Sequence, residues 1–169
     1  SHNNSGSFPV ILKFVRGLLT GGPYYLRINR ERVSVRNVST GDAFEVTPKL
    51  GLDTSNTVLS VGDPVDPSAV RVLMPFQHPR ILIEDFTGGE RIIQYAFLKL
   101  FGTGAIRPSP IVLVHPDLVL DGGLTQIEAR ALREMVEGAG ARRVYLHYGR
   151  PLTDKEVRDV STGNLEAQY

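Results

Sequence analysis

The chain has 169 residues, 41% of them hydrophobic and 22% charged, a balance expected of a globular domain long enough to bury a core of its own. Lys and Arg number 19 against 18 Asp and Glu, and a net charge of +1 gives no broad electrostatic case for nucleic acid. The absence of cysteine excludes disulfides, thiolate catalysis and cysteine-based zinc sites, and is compatible with a reducing cytoplasm.

Ser1–Ser7 (SHNNSGS) is small and polar and is set aside from the fold as a disordered start or an expression remnant. Phe8–Leu19 (FPVILKFVRGLL) is apolar apart from Lys13, Arg16 and Gly17. On a helix Lys13 and Arg16 share a face, and Val10, Ile11, Leu12, Phe14, Val15, Leu18 and Leu19 occupy the others. A helix of this span runs about 18 Å, against a hydrocarbon core of about 30 Å, and is too short to cross a bilayer. Two readings stand side by side. One is an amphipathic helix lying in the membrane surface with its cations toward the headgroups. The other is a strand or helix packed on the body, since so short a helix is marginal alone.

Thr20–Pro23 (TGGP) breaks the chain. Tyr24–Ile28 and Arg32–Val38 then read as a hairpin around Asn29-Arg30-Glu31, and Ala43–Thr47 as a third strand after the turn Ser39–Asp42. These strands predict an antiparallel meander, with Thr57–Val61 as a short fourth strand. LDTSNT (Leu52–Thr57) reads as a polar turn formed by Asp53, Ser55 and Asn56. Pro75 and Pro79 exclude a long helix from Val70–Arg80, which is expected to be irregular.

From Ile81 the character changes. Thr87 and Glu90 have the spacing of a capping box, and a helix is expected through about Phe101, stopped by Gly102 and Gly104. Pro110–His115 (PIVLVH) is a continuous apolar run, typical of a strand buried on both faces. Thr125 and Glu128 form a second capping-box spacing, opening a helix that Gly138 and Gly140 close. Arg142–Tyr148 is a further strand. Strand, helix and strand in that order predict a parallel βαβ unit with a right-handed crossover. Thr153–Val160 is expected to be a short helix, and Ser161–Tyr169 a frayed end.

Little else in the sequence points to chemistry. His2, His78, His115 and His147 lack metal-ligand spacing and read as packed or exposed singletons. There is no G-x-S-x-G elbow and no G-x-x-x-x-G-K-[ST] loop, and Arg142-Arg143 is too small a basic patch for nucleic acid.

Arg107–Val144 resembles the bacterial rod-shape-determining MreB/Mbl family. The family has a T-x-V-E-x-R-A-[IVL]-R-E helix followed by G-A-G-A-R-x-V. Thr125, Ile127, Glu128, Arg130, Ala131, Leu132, Arg133 and Glu134 fit the first pattern, and Gly138, Ala139, Gly140, Ala141, Arg142 and Val144 the second. ILIEDFTGGERIIQY, within Pro79–Leu100, is similar to the family's GVIADFxVTEKMLxY, and Leu12–Leu19 to its LKKFRGMF start. The resemblance implies the actin-like (ribonuclease H-like) α/β fold. Only a single lobe is expected, over residues 23–151, with a mixed sheet made of the meander and the βαβ unit, followed by a short helix and tail over 152–169. It also favours the membrane reading of residues 8–19, with Phe8, Ile11, Leu12, Lys13, Phe14, Val15, Arg16, Leu18 and Leu19 as the surface-binding set.

The pattern breaks where the family holds nucleotide. Its first phosphate loop, D-[LI]-G-T-x-N-T, brings bare backbone amides to phosphate and a carboxylate to the metal. Here Arg27 stands at the Asp position, and Asn29 and Arg30 at the Gly and Thr positions. Glu31 in the same turn repels phosphate. The expectation is a lost nucleotide site. Glu128 matches the family's water-positioning Glu, but as the third residue of a capping box it also has a structural role worth about 1 kcal/mol. It is a vestigial candidate at most. The [IL]-E-E-P stretch of the family is His147–Pro151, with its acidic pair gone, and the second phosphate loop is absent from the sequence.

The expected protein is a non-catalytic pseudo-actin lobe with a cell-shape or cytoskeletal role. It uses no cofactor or metal and is cytoplasmic or peripheral at the inner membrane face. It binds the membrane surface or a protein partner, including itself, and neither nucleic acid nor ATP. The competing expectation is a divergent ATP half-site completed by a second subunit, with Glu128 catalytic and Arg27, Arg30 and Arg32 on phosphate.

Overall fold

A computed structural model describes residues 23–102 and 109–163. The membrane-binding set of residues 8–19 and the end of the expected tail lie outside the described residues.

Strand β1 (Pro23–Ile28) pairs antiparallel with β2 (Val33–Asn37), and β2 with β3 (Ala43–Val46). The other edge of β1 pairs in parallel with β7 (Ile111–Pro116), which pairs in parallel with β8 (Arg143–Leu146). The result is a five-stranded mixed sheet in the order β3-β2-β1-β7-β8. The expected meander and βαβ unit are therefore halves of one sheet, joined at its centre.

Successive residues of a strand face opposite sides of a sheet, and both sides are covered here. Leu26 and Ile28 of β1 and Val112 and Val114 of β7 bury against α1 (Phe86–Phe101) and α2 (Gln126–Gly138), with Ile92, Ile93, Ala96, Leu132 and Met135 opposite them. Tyr25 and Leu113 point the other way, against Val157 and Val160 of α3 (Asp154–Ser161). Two-sided burial explains why the β7 sequence is continuously apolar. Among the described residues the layers are unequal, since one short helix covers the second face. Helices α1 and α2 approach closely at Gly89, where an added Cβ would lie 2.8 Å from Met135 Sδ and 3.0 Å from Phe76 Cζ.

Several expectations are corrected. A second sheet stands apart from the first, with β4 (Leu50–Leu52) between β5 (Val58–Val61) and β6 (Arg71–Leu73), all antiparallel. The expected fourth strand is thus β5, and it pairs with β4 rather than extending the meander. β6 falls within the stretch expected to be irregular. LDTSNT is a turn, as its composition suggested: Asp53 Oδ1 accepts from the amides of Ser55 and Thr57, and Asn56 has φ of 62°.

The Thr87–Glu90 capping box does not form. Helix α1 begins earlier, capped by Asp85, whose carboxylate accepts from the Gly88 amide at 2.6 Å. An aspartate is at least as good a cap as threonine and adds a negative charge at the positive end of the helix. The second box forms as expected: Thr125 and Glu128 bond each other's backbone amides.

Candidate functional site

The tip between β1 and β2 holds Asn29, Arg30 and Glu31, at the position of the expected lost phosphate loop. Its backbone is closed by its own residues. The Asn29 amide donates to the Arg32 carbonyl at 2.9 Å, and Asn29 Oδ1 accepts from the amides of Glu31 and Arg32 at 2.9 and 2.8 Å. A short amide-bearing side chain folding back on the next residues stabilises a turn in this way. It also uses the amide hydrogens that an anion-binding loop would present to its ligand.

The three arginines at the tip are each engaged through a terminal nitrogen, while Arg27 Nε is buried without a partner. Arg27 Nη2 is 2.5 Å from Asp117 Oδ2, a carboxylate carried by the residue after β7. The parallel register sets Arg27 opposite His115 and Ile28 opposite Pro116, which brings Asp117 to this end of the sheet. Arg30 donates to the carbonyls of Pro79 at 3.0 Å and His78 at 3.5 Å, and the Gln77 amide group donates back to the Arg30 carbonyl. Arg32 pairs with Glu45 of β3 at 3.3 Å. Three open cavities adjoin the tip: about 130 Å³ among Arg27, Asn29, Arg32, Ser34, Glu45 and Asp117, about 310 Å³ beside Glu31, Arg32 and Glu45, and about 390 Å³ along Tyr25, Arg27, Arg36 and Glu45. In each of them arginine is already matched by at least one carboxylate.

Glu128 lies in the first turn of α2. Its Oε2 accepts from the Thr125 amide at 3.0 Å and hydroxyl at 2.8 Å, and its Oε1 accepts from the Leu82 amide at 3.1 Å. Desolvation raises its pKa, but the backbone bonds from Thr125 and Leu82 and the side-chain bond from Thr125 outweigh this and hold the carboxyl below its ordinary value. A general base gains from a raised pKa near the working pH. This carboxylate is shifted the other way.

The structure connects the two candidate places through one loop. Gln77, His78 and Pro79 hold the hairpin tip, and Leu82 holds Glu128. The loop is itself fastened by His78 Nδ1, which accepts from the amides of Arg80 and Ile81 at 3.1 and 3.2 Å. Neither this bridging role nor the part played by Asp117 was visible in sequence. Both are long-range pairings to a loop or a strand end, with no local motif to mark them.

The histidines are less isolated than their spacing suggested. His115 is fully buried, and its ring lies 5.0 Å from that of His147 at an angle of 62°. His115 Nε2 faces the Gly149 carbonyl at 2.9 Å, which makes it the protonated nitrogen. Nδ1 therefore accepts from the Tyr25 hydroxyl at 2.7 Å. The same hydroxyl accepts from the Leu152 amide at 3.0 Å. Tyr25 and His115 thus fasten the segment leading into α3. Among the described residues no group of three or more His, Asp or Glu gathers in a metal-binding arrangement, and no helix is long and apolar enough to cross a membrane.

No family model matches the sequence. Part of the chain is similar to curated proteins named cell shape-determining protein MreB. It is 38% identical over 80 residues to that of Pasteurella multocida, covering 47% of this chain and 21% of the relative. Over 65 residues it is 43% identical to the Haemophilus influenzae protein and 42% to that of Escherichia coli, covering 38% of this chain and 17% and 18% of theirs. The similarity thus spans about a fifth of the length of these relatives. In solved structures, MreB5 of Spiroplasma citri bound to AMPPNP matches 73% of this chain and 37% of its own, with TM-score 0.57 and 17% identity. A non-polymerising A278D mutant of MamK bound to AMPPNP matches 75% and 40%, with TM-score 0.58 and 12% identity. The fold is that of an actin-like lobe, and the sequence similarity within it is to MreB.

Proposed function

We propose that this MreB-like lobe has a structural, cell-shape or cytoskeletal role and does not turn over nucleotide. The observation that carries the reading is the closed hairpin tip. The amides of Asn29, Glu31 and Arg32 and a terminal nitrogen of each of Arg27, Arg30 and Arg32 bond within the chain. A phosphate would have to compete with each of these partners, and with Glu31 and Asp117 nearby. The engaged, low-pKa carboxylate of Glu128 supports the same reading. In this account the lobe works at the inner face of the membrane, held there by Phe8, Ile11, Leu12, Phe14, Val15, Leu18 and Leu19 with Lys13 and Arg16 toward anionic headgroups. It associates with further copies or with an actin-like partner.

Calorimetric titration of Mg-ATP, with an Arg27→Ala/Arg30→Ala variant alongside, tests the nucleotide half of the reading. No saturable heat up to millimolar nucleotide is expected. Saturable binding that the variant loses would overturn the reading and favour the half-site alternative, with Glu128→Ala the next ATPase assay. Sedimentation with anionic vesicles tests the membrane half: Phe14→Asp/Val15→Asp should leave the protein in the supernatant, and a variant that pellets like its parent defeats the anchor.

A further inference from the structure

An apolar cavity of about 740 Å³ opens between β5 and the C-terminal half of α1, larger than each of the cavities at the hairpin tip. Val58 and Val61 form one wall, Tyr95, Leu98 and Phe101 the other, and Ala139 beyond the end of α2 closes one side. Its volume is in the range that accepts a small ligand or a few side chains of a docked helix.

The chain itself brings a suitable cover to this place. Strand β1 starts at Pro23, and the Tyr24 ring meets the Phe101 ring edge-on at 4.9 Å. Phe101 is a cavity wall, so Pro23, the first residue of β1, is next in sequence to a residue that touches that wall. Thr20, Gly21 and Gly22 supply a link of up to about 10 Å without bulk. Before it lies Phe8–Leu19, the most apolar stretch of the sequence outside the described residues.

We infer that Phe8–Leu19 docks its apolar side in the β5–α1 cavity of its own lobe when no membrane is present. Docking shelters the segment from water, and lipid binding then requires its release. The docking stands on the cavity and the chain path; only its consequence for membrane binding rests on the function proposed above.

The test uses the full chain, which has no native cysteine to interfere. Leu18→Cys carries a solvatochromic dye, and emission is read without vesicles, then with vesicles of phosphatidylglycerol and phosphatidylcholine. The expected result is blue-shifted emission without lipid that moves to longer wavelength in Leu98→Glu and in Val61→Lys. These half-buried positions lie on opposite walls, and circular dichroism verifies that each variant is folded. Both variants should also bind vesicles at lower lipid concentration than the parent. Emission of a water-exposed dye in the parent overturns the inference. So does a blue shift that neither wall variant alters, or one that grows with protein concentration, which would mean a second copy fills the cavity. If the wall variants shift the dye but no form binds vesicles, docking stands and the membrane reading falls.

Discussion

His115 is packed at the end of an apolar strand, as the sequence suggested, but it bonds through both ring nitrogens. It donates through Nε2 to Gly149 and accepts at Nδ1 from Tyr25. Burial lowers its pKa from the ordinary 6.5; the Gly149 bond opposes the shift, His147 and Arg27 add to it, and Asp117 opposes it. A proton on Nδ1 would face a hydroxyl already accepting from Leu152, leaving the Tyr25 hydrogen without its acceptor. With the folded value depressed, the unfolded chain binds the proton more readily. The stabilisation is therefore complete above 6.5 and is lost as pH falls through the lower folded value. Urea midpoints should drop as pH moves from 7.5 toward 5, and His115→Gln should flatten that dependence. An equal drop in the variant would assign the effect to other groups. The carboxyl groups of Glu128 and Glu156 are both held low, Glu156 at about 2 chiefly by Arg150, so their contribution fades only at more acidic pH.

At the scale of elements, the helices and most strands were legible and the two three-residue strands were not. Periodicity over Ile92, Ile93, Ala96 and Phe97 marked α1, and the Thr125–Glu128 box marked the start of α2, because both signals are local. β4 and β6 have three residues each and owe their existence to one another and to β5. No local pattern distinguishes such strands from loop. The α1 cap was misplaced by two residues because two acceptable caps, Asp85 and Thr87, compete within one turn. The structure makes a sharp distinction between them: Asp85→Ala should cost about 1 kcal/mol, and Thr87→Ala, at an exposed first-turn position, should stay within about 0.5 kcal/mol. Thermal or urea melts of the two variants check this, and the reverse order would restore the Thr87 cap. At the candidate site, the sequence revealed that the usual phosphate-loop residues were replaced. It did not reveal what the replacements bond to, since Asp117, Glu45 and the 77–82 loop reach the tip only through the tertiary fold.

Among the described residues the sheet has one thick cover and one thin one. Against α1 and α2 stands a continuous core from Leu26 to Leu146, whereas α3 is held by Tyr25, Val38 and Leu113 and by the polar fastening at Leu152. Stability is distributed accordingly, and a thin layer opens before a thick one. Val157→Asp should raise amide exchange throughout α3 and leave β1 and β7 protected, as followed by hydrogen exchange and mass spectrometry. Loss of protection in β1 as well would mean that the two layers unfold as a unit. The sheet order also bears on how the protein is made. β1 and β7 are neighbours at its centre, yet residues 29–110 separate them in the chain. At about 5–20 residues per second the ribosome takes several seconds to supply that stretch. Until then β1 has β2 on one side and nothing on the other, so the strand destined for the middle of the sheet begins as an edge. Its apolar face, Leu26 and Ile28, is open during that interval to any strand that arrives first, which makes the pace of translation part of what decides whether the lobe assembles correctly.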